Sequence, residues 1–364
     1  MPTRYDIAII GAGIAGLSAA YFLSRDANVV VLEQESQPAY HTSGRSAALF
    51  IGGYENSDVA ELTQASAGFL HQPPPGFSPT PLLQPRGGLN IARHGEEAAL
   101  AEDLTTWQAY CPDRDEIEVQ ACLEMCPILR EELIGAATYD AGMMTIDAHA
   151  LLEGYRKGLV KNGGQLLTEW QVSEIRNNNR WSVTTRSGGH LETDILINAA
   201  GCWASTIGEL AGAAPMQLQP LRRTAAIIDA PAEASTWPVV HTIANDLYFK
   251  PEAPGLMVCG QDETPSEPMD AYPHDIDIAV AMDRFTGFTT LPVSRVAHQW
   301  AGLRTFSADR RPVLGFDHAA PRFFWLAGQG GFGIQTSAGL GRLTADAILH
   351  ETSVPPALSC KRFT

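Results

Sequence analysis

Apolar and polar positions follow each other in blocks at the start of the chain. Residues 5–10 form a short, nearly continuous apolar run, which is typical of a strand buried on both faces of a parallel sheet. Residues 14–23 have a helical composition, and residues 28–32 are a second β-rich run that Glu33 closes. The pattern therefore predicts a strand, a tight turn, a helix and a second strand.

Glycines interrupt the junction between the first strand and the helix at the spacing G-x-G-x-x-G. Gly11 permits the tight turn, Gly13 lets a pyrophosphate approach the backbone, and Gly16 lets helix and strand pack closely. The helix N-terminus offers free N–H groups and a partial positive charge to phosphates. Glu33 can accept hydrogen bonds from ribose hydroxyls. The motif predicts a dinucleotide site, but by itself does not distinguish NAD from FAD.

Further glycine-ended strands are predicted elsewhere in the chain. One is DILINAAG, residues 194–201, and another is FFWLA, residues 323–327, followed by a loop over 328–333 and a helix over 335–349. After the first unit, a polar loop over residues 40–50 replaces the alternating strands and helices of a simple NAD domain. These features indicate one long cofactor held by a discontinuous domain, and FAD fits best.

Composition and charge narrow the class of protein. The 364 residues are 45% hydrophobic and 18% charged, which is typical of a globular chain long enough for two domains. A net charge of −16 disfavours nucleic acid and anionic membrane surfaces as partners. We expect no signal peptide and no integral membrane segment. The six cysteines lack metal-site spacing, so we expect no metal and a reducing, cytoplasmic location.

Longer stretches carry a resemblance to a known family. They include IIGAGIAGLSAAYFLS (9–24), YHTSGRSAA (40–48), LQPLRR (218–223), WAGLRTF (300–306) and GQGGFGIQTSAG (328–339). In them the chain resembles the D-amino acid oxidase superfamily of flavoproteins, which includes the glycine and sarcosine oxidases. Within it, the motifs are most similar to the bacterial D-arginine dehydrogenases and related D-amino acid dehydrogenases.

The resemblance implies noncovalent FAD and an α/β fold, α+β overall. A Rossmann-like FAD-binding domain (1–85, 147–216 and 302–364) would carry a second, mainly antiparallel β substrate-binding domain (86–146 and 217–301). The implied FAD contacts are Gly11, Gly13, Ala15, Gly16, Glu33, Gln34, His41, Thr42, Ser43, Gly44, Arg45, Ser46, Ala48, Val172, Gly201, Gly330, Gly331, Gly333, Ile334, Gln335 and Thr336.

Oxidation of an amino acid requires a group that fixes its carboxylate. Arginine suits this role because its planar fork binds both oxygens. Arg304 lies between apolar residues and a glycine, and Arg222 and Arg223 begin a strand-like run on opposite faces. The resemblance implies that Arg304 and Arg223 bind the carboxylate, with Arg222 as the reserve choice.

Three further residues receive roles from the resemblance. Tyr248, in DLYFKP, would assist carboxylate binding, and Tyr54, after FIGG, would belong to an active-site lid. Gly331 would present its backbone carbonyl to the substrate amine. None of the ten histidines forms a nucleophile or metal constellation in the sequence.

Two places depart from the D-arginine enzymes. Leu49 stands where those enzymes have a histidine, and Gly87-Gly88 stands where they have a glutamate that receives the cationic side chain. Loss of a buried carboxylate removes the partner of a guanidinium or ammonium and leaves space. We therefore expect a preference for neutral, bulky or apolar side chains over cationic ones. The acidic segment 260–277 is expected to be a solvated loop, with a lid or a source of negative charge as alternatives.

The leading interpretation is FAD-dependent oxidative deamination of D-amino acids. A hydride would pass from Cα to flavin N5, and the imine would hydrolyse to a 2-oxo acid and ammonia. Three alternatives are open: an oxidase of N-methyl or secondary amino acids, a 2-hydroxy acid dehydrogenase, and a flavin-binding electron-transfer or assembly subunit. Oxygen, a quinone or another carrier would accept the electrons. A quinone would allow a peripheral location at the inner membrane.

Overall fold

The structure, a computed structural model, describes residues 3–363, so the predicted domain ends at residues 1 and 364 lie outside the described residues. The α-helices are α1 (Ile14–Leu23), α2 (Ser57–His71), α3 (Glu97–Trp107), α4 (Val119–Met125), α5 (Ala148–Lys161), α6 (Ala204–Leu210), α7 (Asp275–Phe288) and α8 (Ser337–Leu349).

The strands fall into three sheets. Those in the first half of the chain are β1 (Thr3–Ile10), β2 (Val29–Leu32), β3 (Leu49–Phe50), β4 (Leu83–Pro85), β5 (Gly88–Arg93), β6 (Arg114–Ile117), β7 (Ile134–Asp140), β8 (Met144–Ile146), β9 (Gln165–Leu167) and β10 (Val172–Asn177). Those in the second half are β11 (Trp181–Thr185), β12 (His190–Asn198), β13 (Leu218–Ile228), β14 (Val239–Thr242), β15 (Tyr248–Glu252), β16 (Gly255–Cys259), β17 (Thr264–Pro265), β18 (Val296–Ser307), β19 (Val313–Phe316) and β20 (Phe323–Ala327).

The first sheet has the order β10-β11-β12-β1-β2-β9, with β20 paired to β12 and β19 to β20. Its centre is parallel, because β1 pairs in parallel with both β2 and β12, and β20 pairs in parallel with β12. Alternate residues of β1 enter different hydrophobic clusters: Ile7 and Ile9 pack with α1, α5 and α8, while Ala8 and Ile10 pack on the opposite face. Both faces are therefore buried, as the continuous apolar run predicts.

The second sheet is mainly antiparallel and has the order β17-β13-β16-β15-β14-β5-β7-β6, with β18 paired to β13. Phe249 of β15 lies in one hydrophobic cluster with Phe285 and Phe288 of α7, so this helix covers one face of the sheet. A small third sheet joins β3 and β4 to β8. A Rossmann-like parallel sheet beside a mainly antiparallel one confirms the predicted fold class.

The element bounds differ slightly from the sequence-based ones. The last helix begins at Ser337 rather than at residue 335, and the second strand covers Val29–Leu32. Strand β18 runs without interruption across residue 302, where a domain boundary is predicted, and β8 pairs with β3 and β4 across the predicted boundary near 146. The division into domains stays a prediction.

Asp317 ties the turn between β19 and β20 to a distant loop. Its carboxylate accepts the indole N–H of Trp325 at 2.9 Å and backbone N–H groups of Ala214, Ala319 and Ala320. Burial by itself would raise the pKa of Asp317, but these hydrogen bonds to the charged form lower it below its ordinary value. The ionised carboxylate therefore stabilises the folded protein.

We expect Asp317→Asn to lower the free energy of unfolding by about 1–3 kcal/mol at neutral pH, because an amide cannot accept all of these donors. Because the folded-state pKa is lowered, the stabilisation is present above the unfolded pKa and is lost as the pH falls through the folded pKa. The difference between wild type and variant should therefore narrow below about pH 4. Urea denaturation measures both effects. The exposed Asp283→Asn is the matched control, and an equal loss in both variants would contradict the assignment.

Candidate functional site

Parallel strands of the first sheet end in register at one edge. Ile10 of β1 is opposite Leu32 of β2 on one side and Asn198 of β12 on the other. The loops that follow therefore leave the sheet side by side. Ligands of open α/β sheets bind at this carboxyl edge.

The first loop at this edge has no room for side chains. Gly11 has a φ of +104°, and a Cβ there would lie 2.4 Å from the carbonyl oxygen of Ala199. A Cβ at Gly16 would lie 1.9 Å from the carbonyl oxygen of Gly11. These contacts bring the N-terminus of α1 against the sheet and leave backbone facing the edge.

Glu33 is the charged group at the same edge. Its carboxylate accepts the backbone N–H of Ala12 at 2.8 Å and that of Glu35 at 3.0 Å. Glu33 is buried, with 7% of its surface exposed. This burial raises the pKa of Glu33 above its ordinary value despite the two hydrogen bonds. The carboxylate is thus fixed in position and retains acceptor capacity toward a ligand hydroxyl.

A chain of cavities begins at this edge. The edge cavity, about 480 Å³, is lined by Glu33, Gln34 and Val172, among others. The central cavity, about 130 Å³, lies where the first two sheets meet, with Ala15 on one wall and Arg304 on another. Gly13, Thr42, Ser43, Ala199 and Gly201 line both cavities. Because of this shared wall, a single elongated ligand can occupy both.

The loop over residues 41–46 is held by side-chain hydrogen bonds. Thr42 Oγ1 donates to the carbonyl of Leu303 at 2.7 Å, and Ser43 Oγ accepts the N–H of Ile14 at 2.9 Å. Arg45 donates to Ala301 and Ala271 and pairs with Asp270 at 2.5 Å, so its guanidinium is engaged within the protein. His41 Nε2 lies 2.9 Å from a Glu35 carboxylate oxygen. The hydrogen bonds of Thr42 and Arg45 hold the loop against β18.

Buried polar atoms in the central cavity lack partners. Gln329 Nε2 and Thr305 Oγ1 have no hydrogen-bond partner within residues 3–363, and both residues line this cavity. Buried polar groups are normally satisfied, so such atoms indicate a ligand with polar atoms. The glycine edge, fixed carboxylate and unsatisfied polar wall fit the phosphates, ribose and ring system of FAD.

Arg304 lies at the far end of the central cavity. Its guanidinium is largely enclosed and has no hydrogen-bond or ion-pair partner in the described part of the chain. A Cβ at Gly331 would lie 2.7 Å from Arg304 Nη1, so a side chain there would displace the guanidinium from its present position. A largely enclosed cation without a hydrogen-bonded or ion-paired protein partner indicates a site for an anion.

Strand pairing separates the two other candidate arginines. Arg223 is opposite Gly302, so it shares a sheet face with Arg304 two residues on. Its side chain donates to the carbonyl of Asp262 at 2.7 Å and to the carboxylate of Glu263 at 3.0 Å. Arg222 points to the other face, where it pairs with Asp277 of α7 at 3.0 Å. Of the two, Arg223 faces the cavities.

A third cavity continues from the central one. This clamp cavity, about 60 Å³, has Arg304, Arg223, Tyr248, Tyr54 and Gly331 in its lining. Burial raises the pKa of Tyr248, so its phenol is a neutral donor at ordinary pH. The five residues assigned to substrate binding from the sequence are therefore brought together.

Sequence reasoning missed His241, which also lines the clamp cavity. It lies opposite Tyr248 on paired strands, and the two rings stack at 5.1 Å between centroids. Burial, Arg114 and Arg223 lower the pKa of His241 to about 4, which makes it a neutral imidazole. The sequence did offer one signal, because a histidine in the apolar run of a strand is unusual. Its cross-strand partner, however, is known only from the fold.

A fourth, polar cavity lies beyond the clamp cavity. This outer cavity, about 520 Å³, is lined by residues that include Asp140, Glu263 and Arg310. The space expected at Gly87-Gly88 is absent: a Cβ at Gly87 would lie 2.2 Å from the Tyr139 hydroxyl, and one at Gly88 would lie 2.4 Å from Met143 Sδ. These two side chains fill the position. Leu49, where a histidine is expected in the D-arginine enzymes, lines the clamp cavity.

Most of the predicted cofactor contacts line these cavities. Ala48 and Gln335 lie at the clamp cavity, and the Gly330, Gly333 and Ile334 positions lie at the central one. Three predicted contacts lie outside the lining of all four cavities: Gly16, Gly44 and Thr336.

The acidic segment 260–277 is not simply solvated, which corrects the sequence-based expectation. Asp262 accepts hydrogen bonds from the backbone and hydroxyl of Thr224, and Glu263 pairs with Arg223 and Arg310. The segment is bound because Arg223 of β13 and Arg310, between β18 and β19, meet it. Separately, no helix within residues 3–363 combines the length and apolarity needed to span a membrane.

Comparisons with known proteins agree with this geometry. The profile of the DAO family, described as FAD dependent oxidoreductase, matches residues 6–347. Glycine oxidase of Geobacillus kaustophilus is 23% identical over 377 residues, which cover 96% of this chain and 94% of that protein. Human mitochondrial dimethylglycine dehydrogenase is 25% identical over 390 residues, which cover 95% of this chain and 43% of that protein. The chain thus spans less than half the length of the latter.

Solved structures show the same fold. The crystal structure of glycine oxidase from Geobacillus kaustophilus has a TM-score of 0.84 at 22% identity and covers 97% of this chain and 96% of that chain. The crystal structure of L-proline dehydrogenase from P. horikoshii has a TM-score of 0.85 at 20% identity. The match covers 100% of this chain and 98% of that chain. These matches support the superfamily resemblance and not the D-arginine dehydrogenases specifically. The chain belongs to the DAO family of FAD-dependent oxidoreductases.

Proposed function

We propose that this protein oxidises amino acids by FAD-dependent oxidative deamination, with D-amino acids of neutral side chain as its substrates. The observation that carries the proposal is the Arg304 guanidinium, which is largely enclosed, has no partner within residues 3–363 and lies between the central and clamp cavities. A carboxylate is the anion that a planar guanidinium binds best. The family supplies the redox cofactor.

FAD would lie in the edge and central cavities, held without a covalent link. Glu33 would accept ribose hydroxyls, the Gly11–Gly13 turn would receive the phosphates, and Gln329 would meet the ring system. When bound, FAD would accept the hydride equivalent that leaves the substrate Cα.

The protein's own residues would position the substrate. Arg304 and the Tyr248 phenol would hold the carboxylate, and the carbonyl of Gly331 would accept a hydrogen bond from the amine. Arg223 would add positive charge on the same face, although Glu263 shares its guanidinium. Tyr54 would cover the clamp cavity from the side of the outer cavity. Fixing the carboxylate at one end orients Cα toward the central cavity.

Secondary amino acids are the second candidate substrates. L-proline dehydrogenase and dimethylglycine dehydrogenase, both similar to this chain, carry in their names a secondary amino acid and an N-methylated, tertiary one. The same guanidinium would hold an N-methyl amino acid by its carboxylate. The acceptor of the electrons is oxygen, a quinone or another carrier, and a cytoplasmic location fits the free, buried cysteines among the described residues.

Anaerobic reduction of the flavin by a substrate panel tests the function. The panel contains glycine, N-methylglycine, and both enantiomers of alanine, methionine, glutamine, lysine and arginine. We expect bleaching by neutral D-amino acids, with D-arginine and D-lysine the poorest because Gly87-Gly88 supplies no carboxylate to pair with a cationic side chain. Formaldehyde release from N-methylglycine as the fastest reaction would favour the second candidate. Failure of every amino acid to bleach the flavin would contradict both.

Substitution of Arg304 tests the carboxylate assignment. We expect Arg304→Ala to lower kcat/KM about a hundredfold or more with FAD still bound, because a charged hydrogen-bond partner is lost in a desolvated site. Arg304→Lys should recover only part of the loss, since an ammonium lacks the planar fork. Steady-state kinetics and the flavin spectrum report the two effects. The exposed Arg295→Ala is the control; an Arg304→Ala enzyme within a few-fold of it would overturn the assignment.

A further inference from the structure

The outer cavity opens directly from the clamp cavity. The two cavities share Tyr54, Arg223, His241, Asn245 and Gln261 in their walls. The clamp cavity is small, about 60 Å³, whereas the outer cavity measures about 520 Å³. A substrate held by its carboxylate in the first therefore has room for its side chain only toward the second.

The shared wall carries polar atoms that the protein leaves unsatisfied. His241 Nε2 and Gln261 Nε2 are buried and have no hydrogen-bond partner among residues 3–363. An unsatisfied buried donor or acceptor destabilises the folded protein unless a ligand or water meets it. Two such atoms on one wall indicate a ligand group that can hydrogen bond.

The backbone of Gln261 adopts a left-handed conformation. Its φ is +54°, a value that residues other than glycine, asparagine and aspartate rarely adopt. Backbone strain of this kind gathers at binding sites, where the surrounding structure over-determines it. At Gln261 it coincides with a residue that lines both cavities.

The charged groups around the outer cavity are paired within the protein except for Asp140, which has no ion-pair partner among residues 3–363. Glu263 pairs with Arg223 and Arg310, and Arg114 pairs with Asp103. Asp140 is buried, with a raised pKa, and its carboxylate accepts the N–H of Gly142 at 2.8 Å. Beside Glu263 or Arg114, a cationic or anionic side chain would therefore compete with an existing pair, whereas a neutral polar one would not.

We propose, on the basis of the proposed function, that His241 and Gln261 form a subsite for an uncharged, hydrogen-bonding substrate side chain such as a carboxamide. Gln261 Nε2 donates to the side-chain carbonyl and His241 Nε2, in the tautomer protonated on Nδ1, accepts from the side-chain N–H, while Arg304 holds the α-carboxylate. This narrows the substrate class from neutral side chains in general to neutral polar ones.

Isosteric substrate pairs test the subsite in the FAD-loaded protein. Asparagine is compared with leucine, and glutamine with methionine, each as both enantiomers, by anaerobic flavin reduction. We expect the amide of each pair to have a kcat/KM at least about tenfold higher, because a site built to hydrogen bond rejects an analogue that lacks the group.

The variant Gln261→Met removes the amide at nearly constant size. We expect it to bring the glutamine-to-methionine ratio of kcat/KM to within about threefold of unity, whatever the absolute rates. His241→Phe, which keeps the ring stacked on Tyr248, should lower the same ratio. The exposed Gln120→Met on α4 is the matched control and should keep the wild-type ratio.

The outcomes of these experiments distinguish failure of the subsite from failure of the proposed function on which it rests. If no amino acid reduces the flavin, the proposed function fails and the subsite fails with it. If D-amino acids reduce the flavin but the apolar member of each pair reacts as fast, the function stands and the subsite is overturned. If only glycine and N-methylglycine react, the assignment to D-amino acids and the subsite are both overturned. A ratio that survives both Gln261→Met and His241→Phe also overturns it.

Discussion

A guanidinium largely enclosed by protein requires a negative partner, and Arg304 has no hydrogen-bonded or ion-paired one within residues 3–363. Strand β18 carries it into the space between the two large sheets, and Gly331 leaves the room that its Nη1 occupies. The remaining parts of the site are arranged around this cation. On one side lies the cavity chain that begins at the glycine edge; on the other lies a polar cavity large enough for a side chain.

The parts of the fold that depend on local sequence were predictable. The turn at Gly11 requires a positive φ, and Gly16 has no space for a Cβ, so both glycines are visible in the sequence for a physical reason. Apolar runs gave β1, β2 and β20 with errors of a few residues at their ends. Arg304 stood out because it lies among apolar residues and a glycine, in the stretch WAGLRTF that resembles the family.

The parts that depend on tertiary contacts were not predictable. The sequence placed Arg222 and Arg223 on opposite faces, but which face meets the cavities is decided by α7, where Asp277 takes Arg222. The acidic segment looked solvated because Glu263 meets Arg310 only in the folded chain. The gap expected at Gly88 is filled by Met143, which is far along the chain. His241 could be assigned to the site only once the fold had placed it opposite Tyr248 on the neighbouring strand.

The most direct test of the role of Arg304 is a crystal structure of the FAD-loaded protein with 2-oxobutanoate, a product analogue with an uncharged side chain. The account predicts the carboxylate of the ligand about 3 Å from the Arg304 guanidinium, with the rest of the ligand in the clamp cavity. A carboxylate bound elsewhere, with Arg304 instead paired to a protein acid such as Glu263, would contradict it.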